Sequence, residues 1–341
     1  EMSTPDEVRE QVEHFKNQFD KLRSEVHKMI VGYDDIVENV LIVLLSRGNA
    51  LLEGVPGLGK TMLVRVLSQV MHLRFVRVQF TPDLMPADIV GTNMVVEDAV
   101  GGRRHMEFRQ GPIFTHLMLA DEINRATPRT QSALLEAMEE HEVTVGGVTH
   151  ILEEPFFVLA TQNPVEQVGT YPLPRAALDK FMFKLIVGYP DGDELMEISR
   201  RTTDVEMPSL EQVMSREEIL SLQKLVRDVP VAPHVERYAA RLMLATDPES
   251  EHATDLVKQY VKQGSSPRGM QALILGGKIK ALLAGRFNLA CDDIQSVAVP
   301  ALRHRMTFSF EGQSADVSPE KVVDEILENT EEFVEEAALQ A

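Results

Sequence analysis

The stretch GVPGLGKT, residues 54–61, has the most specific chemical spacing in the 341-residue chain: glycine, four residues, then Gly-Lys-Thr. It follows the apolar run ALLE and opens a helix-like segment, KTMLVRVLSQVM. In that setting glycines let successive backbone N–H groups close around phosphate oxygens, and the helix start adds its positive end. Lys60 is then placed to reach the β- and γ-phosphates of a nucleotide, and Thr61 to offer its hydroxyl to Mg2+. The expected cradle is Gly54, Val55, Pro56, Gly57, Leu58, Gly59, Lys60, Thr61 and Met62.

Two further segments end in polar residues suited to the same reaction. LMLADE, residues 117–122, is an apolar strand delivering two carboxylates at its C-terminal end. Asp121 suits holding Mg2+ through water, and Glu122 suits orienting and polarising an attacking water. FFVLATQN ends at Asn163, whose neutral amide positions water without adding charge, although an Asn at a strand end is equally a turn former.

These side chains require a scaffold that aligns strand ends. ALLE, RFVRVQF, HLMLADE, PFFVLATQN and FMFKLIVG are short apolar runs separated by helical patterns, which predicts a five-stranded parallel sheet covered on both faces. Two segments interrupt it. NMVVEDAVGGRRHMEFRQG turns on Gly101-Gly102 and HEVTVGGVTHILEE on Gly146-Gly147, and each reads as a β-hairpin. The spacing predicts an amphipathic helix over 6–30, and helices dominate from 193 to 290. The expected domains are an N-terminal helix (1–30), an αβα core (31–189), a smaller all-α lid (190–310) and an acidic helix and tail (311–341).

Composition narrows the function classes. The net charge of −19 argues against a general nucleic-acid binder. The longest nearly apolar run, VLIVLL, is far short of the ~20 residues a membrane span needs. Charges recur through the first thirty residues, unlike a signal peptide, and the single Cys291 fits a reducing cytoplasm. The ten histidines lack paired metal-ligand spacing, and His304 between two arginines reads as a packed or capping group.

GVPGLGKT, LADEINRATPRTQSALLEAMEE, ATQNP, YPLP…LDKF, SPR and LRHR, in this order, resemble the MoxR family of AAA+ ATPases, from about Ile30 to about Phe310. The resemblance implies an ATP-hydrolysing ring, expected to be a hexamer, with an AAA+ αβα core and a helical lid. The two hairpins resemble inserts that face the central pore in related rings. By the same resemblance Asn163 is sensor 1, Arg268 is sensor 2 reaching from the lid to the γ-phosphate, and Val31 and Gly32 of IVGY line the adenine. It also implies a protein client, with proteins bearing von Willebrand factor A domains as the associated class.

One departure concerns YPLPRAALDKF, residues 171–181. Family members commonly place an arginine before the phenylalanine, acting on the neighbouring subunit's ATP; here Lys180 stands there, keeping charge without the planar fork. Arg175, five residues earlier, and Arg125 in EINRA are the other candidates for that role. Two alternatives to a remodelling ring stay open: a nucleic-acid motor with the same hairpins, and a nucleotide-gated scaffold with little hydrolysis.

Overall fold

A computed structural model gives the fold and describes residues 4–55, 57–97, 104–164, 169–203 and 208–332. Pro56, the Gly101-Gly102 turn, Arg103 and the end of the acidic tail lie outside the described residues.

The chain opens with α1 (Pro5–His27) and α2 (Asp34–Leu45). Thr4 starts α1 with a reciprocal capping box: its hydroxyl accepts from Glu7 N, and Glu7 accepts from Thr4 N. Then come β1 (Ala50–Glu53), α3 (Lys60–Val70), β2 (Phe75–Gln79), α4 (Pro86–Val90) and the hairpin β3 (Gly91–Glu97) with β4 (Arg104–Gln110). β5 (Leu117–Asp121) and α5 (Pro128–Glu140) precede a second hairpin, β6 (Glu142–Val145) with β7 (Val148–Ile151). β8 (Phe157–Gln162), α6 (Arg175–Leu178) and β9 (Phe183–Ile186) complete the core.

Five strands form one sheet in the order β2-β5-β8-β1-β9, and every pairing is parallel. The chain reverses its direction of sheet growth at β1, with β8 on one side and β9 on the other. Such a reversal opens a crevice beyond the C-terminal ends of the strands. Alternation sorts the strand residues between two cores. Ala50, Leu52, Leu117, Leu119, Phe157, Leu159, Phe183 and Leu185 face one core, which continues through α1, α2 and α3. Leu51, Met118, Ala120, Val158 and Ala160 face the other, covered by Leu134, Leu135 and Met138 of α5 and by Phe181.

The remainder is mostly helical: α7 (Gly192–Thr203), α8 (Arg216–Asp228), α9 (Pro233–Ala245), α10 (Asp255–Tyr260), α11 (Pro267–Leu283), α12 (Cys291–Leu302), α13 (Phe310–Ser314) and α14 (Pro319–Asn329). It is not all-α, which corrects the sequence expectation. The helix predicted through DLVKQYVKQG stops at Tyr260, and β10 (Val261–Gln263) pairs antiparallel with β11 (Thr307–Phe308). Val261 takes an extended conformation at the helix end, as a β-branched residue readily does. The N-terminal helix is no separate appendage, since α1 packs on both α3 and α11.

Candidate functional site

Register brings the predicted strand ends to one level. Gln79 pairs with Asp121 across β2 and β5, and Glu53 pairs with Gln162 across β1 and β8. Gly54 leaves β1 beside β9, where a Cβ would lie 2.7 Å from the carbonyl oxygen of Val187, so the turn runs too close to its neighbour for a side chain. Gly57 and Gly59 have φ of 89° and 77°, a region that favours glycine, and Gly59 caps α3 so that Lys60 is its first residue. Lys60 Nζ donates to the Gly54 carbonyl oxygen at 2.5 Å. Burial lowers the Lys60 pKa, against the attraction of Asp121, Glu122 and Glu53.

Both oxygens of Asp121 are engaged. Oδ1 accepts from Thr161 Oγ1 at 2.6 Å, and Oδ2 accepts from Arg77 Nε at 3.0 Å and Arg77 Nη2 at 2.6 Å. Glu122 follows in the left-handed region (φ 56°), which turns its side chain sharply out of the strand. Its Oε2 accepts from Gln79 Nε2 at 2.7 Å and Arg125 Nη1 at 2.9 Å, while its N–H donates to Thr161 Oγ1. Arg125 is thereby held within this subunit's own acidic pair. Asp121, Glu122, Arg77 and Thr161, together with Lys60, Thr61 and Asn163, line a polar cavity of about 340 Å3.

A second cavity, of about 530 Å3, adjoins the first and shares Gly57, Gly59 and Lys60 with it. Its walls are apolar: Ile30, Val31, Leu58, Met62, Val187 and Leu195 among others. Tyr33 closes one side and donates through its hydroxyl to the Gly188 carbonyl at 3.1 Å. Val31, Leu58 and Met62 are thus among the residues lining this apolar cavity. Gly32 is not among the lining residues. It sits against Glu194, whose Oε1 would lie 2.1 Å from an added Cβ, so it serves the turn and not the cavity.

A nucleoside triphosphate with Mg2+ fits this donor set. Lys60 and the glycine-loop N–H groups would meet the phosphates, and the carboxylate of Asp121 with the hydroxyl of Thr61 suits a hard cation. Among the described residues no three His, Cys, Asp or Glu side chains form a metal-binding group. An ion at Asp121 would therefore draw its remaining ligands from phosphate oxygens and water.

The remaining basic candidates lie elsewhere. Lys180 stands three residues before Phe183, which pairs with Ala50, the first residue of β1, whereas the phosphate loop leaves the last. Those three residue steps of β1 are about 10 Å of strand. Lys180 Nζ pairs with Glu139 Oε2 at 2.8 Å and donates to the Leu135 carbonyl. The Lys180–Glu139 hydrogen bond holds the Glu139 carboxyl below its ordinary range. Arg268 bonds the other oxygen of Glu139 and approaches Asp179 Oδ2 at 3.6 Å. Arg175 donates to the Gly264 carbonyl. Arg268 is thus joined to Lys180 through Glu139 at the opposite end of the sheet. It is not at its own phosphate pocket, and the expectation that it reaches this subunit's γ-phosphate is corrected.

Sequence reasoning missed Arg77, Gln79 and Thr161. Arg77 and Gln79 are two residues apart on β2 and share a strand face, an alternation visible in RFVRVQF. What the sequence does not show is which strand lies alongside.

Comparison with known proteins agrees with this geometry. Residues 49–183 match the model of the ATPase family associated with various cellular activities (AAA), and residues 253–326 match the AAA lid domain. The chain is 40% identical to Chaperone MoxR1 of Mycobacterium tuberculosis, over 89% of this chain and 79% of that one. It is 42% identical to the protein YeaC of Bacillus subtilis, over 92% and 94% of the two chains. A crystal structure of a candidate ATPase from Cytophaga hutchinsonii superposes with a TM-score of 0.88 at 35% identity, covering 96% of this chain and 98% of that one. With the phosphate loop, acidic strand end, paired hairpins and helical lid all in place, the chain belongs to the MoxR family of AAA+ ATPases.

Proposed function

We propose that the chain is a Mg2+-dependent ATPase that assembles into a ring, expected to be hexameric, and remodels a protein client. One observation carries the ATPase reading: a polar cavity holding Lys60, Asp121 and Glu122 meets an apolar cavity at the glycine loop, the shape of a triphosphate joined to a base. Lys60 binds the β- and γ-phosphates, and Thr61 and Asp121 are the residues that would hold Mg2+. When bound, the ion offsets charge on the phosphate oxygens. Glu122 orients the attacking water and accepts its proton, while Gln79 and Arg125 fix the carboxylate through hydrogen bonds. Asn163, at the end of β8, positions the same water.

Assembly is supported by the basic cluster. Lys180 and Arg268 cannot serve their own pocket, so they suit the nucleotide of a neighbouring copy, where a cation stabilises charge on the transferred phosphoryl group. A protein client is supported by the relative named as a chaperone. Exposed apolar side chains on both hairpins add to this: Met94, Val95 and Met106 on one, Val148 and Ile151 on the other. A client bearing a von Willebrand factor A domain is the class proposed, with a cytoplasmic location. Among the described residues no helix is long and apolar enough to cross a membrane.

Steady-state ATPase rate against protein concentration tests this, for wild type, Glu122→Gln, Lys180→Ala and Arg175→Ala. Glu122→Gln should lower turnover by ~10²–10⁴ with nucleotide still bound. Specific activity should rise with concentration and collapse in Lys180→Ala. A flat rate indifferent to Lys180 and Arg175 would sink the shared-site reading and favour a nucleotide-gated scaffold.

A further inference from the structure

The backbone that carries Lys180 is held by the lid more than by the sheet. Arg305, just beyond α12, is 2% exposed and spends its guanidinium on that segment. Nε donates to Asp179 Oδ1 at 3.1 Å, and Nη2 donates to the carbonyls of Asp179 at 3.2 Å and Phe181 at 2.7 Å. Nη1 donates to the carbonyl of Met182 at 3.0 Å and to that of Ala301 near the end of α12. Ser266, the N-cap of α11, donates through its hydroxyl to the Asp179 carboxylate at 2.7 Å, and Arg268 follows it two residues later. Three carbonyls within Asp179–Met182 therefore end on one lid side chain. The N–H groups of Asp179, Lys180 and Phe181 stay local, on the carbonyls of Arg175, Ala177 and Leu178 in α6, and the first residue of the stretch to bond the sheet side is Met182, whose N–H donates to the Asn49 carbonyl just before β1.

A planar fork with five N–H donors suits this work, and a lysine could satisfy at most three of the acceptors. We propose that Arg305 is a positioning residue for Lys180: it fixes Asp179–Met182 to the lid, so that the lid, Arg268 and Lys180 address the neighbouring subunit's nucleotide as one body. This rests on the shared-site reading above and adds the part that sets the geometry. The nucleotide that moves the lid of one subunit thereby moves the cations presented to the next.

The test is complementation between variant subunits. Arg305→Lys should lower turnover ~10–100-fold, the cost of a misplacement of about 1 Å, with nucleotide affinity unchanged. Glu122→Gln subunits are inactive at their own site but present intact cations. Mixed one to one, random assembly makes about a quarter of all sites competent, so activity should recover to about a quarter of wild type. Lys180→Ala mixed with Glu122→Gln is the control and should recover alike. If the control recovers and Arg305→Lys does not, Arg305 acts only within its own subunit and the proposal is overturned. If the control also fails, the shared-site reading falls and takes the proposal with it. Should Arg305→Lys not fold, Ser266→Ala, which removes one lid contact to Asp179, carries the same test with a smaller loss.

Discussion

His304 offers a stability test whose sign and size follow from its hydrogen bonds. It is 6% exposed, and its Nε2 lies 2.9 Å from the Phe181 carbonyl oxygen and 3.0 Å from Arg305 Nη1. Both hydrogens of Nη1 are already directed to the carbonyls of Met182 and Ala301, so the consistent tautomer donates from Nε2 to Phe181. That leaves Nδ1 unprotonated, buried and without a hydrogen-bond partner. Protonating it would place an unmatched N–H and a charge beside Arg305, with Lys184 and Arg303 also near. Burial first, and these cations second, hold the His304 pKa well below its usual 6.5. The unfolded chain therefore binds a proton that the native state refuses, and stability complete above pH 6.5 is lost as pH falls below it. The slope is about 1.4 kcal/mol per pH unit, or about 2 kcal/mol between pH 6.5 and pH 5. His304→Gln keeps an N–H for Phe181 but cannot titrate. Urea unfolding of both chains from about pH 7.5 to about pH 5 should show wild type losing that much relative to the variant; the other histidines cancel in the difference. Parallel curves would refute the tautomer and the buried neutral ring together.

Three further outcomes are expected. Lys60→Met should weaken nucleotide binding ~10–100-fold, the loss of a charged hydrogen bond of about 1.5–3 kcal/mol, read by titration with a fluorescent nucleotide. Gly276→Ala should destabilise by about 1–3 kcal/mol in chemical unfolding. Its Cβ would lie 2.9 Å from Phe183 Cζ and 3.3 Å from Val297 Cγ2, both buried. Burial alone would push the Glu154 carboxyl up, but hydrogen bonds from His141 and Arg47 outweigh it and hold the pKa at about 2. Its contribution is then present above pH 4.5 and is lost as pH falls toward 2, so Glu154→Gln should flatten that part of an acid-unfolding curve followed by circular dichroism.

The phosphate loop was legible because its function is local: eight consecutive residues, a strand before and a helix after. Asp121, Glu122 and Asn163 were legible as strand ends for the same reason, since a buried apolar run announces its own boundary. Arg77, Gln79 and Thr161 were not, because their partners on neighbouring strands are 39 to 44 residues away and are chosen by strand order. Arg268 shows the opposite error. Its motif identifies it, but only packing decides that it meets Glu139 and Lys180 at the far end of the sheet. β10 escaped because its three residues continue the apolar spacing of α10, and only its pairing with β11 distinguishes them.

The larger core has a consequence for how the molecule is made. One sheet face, finished at Ile186, is covered partly by lid residues such as Leu273, Val297 and Ala301, in a cluster that continues to Ile326. During synthesis at ~5–20 residues per second, that face waits roughly 7–28 seconds for its last cover. A ribosome-bound core with its glycine loop already formed would still present apolar surface. A nascent chain stalled near residue 190 should therefore be a target for holding chaperones, and early binding of nucleotide cannot substitute for the missing lid.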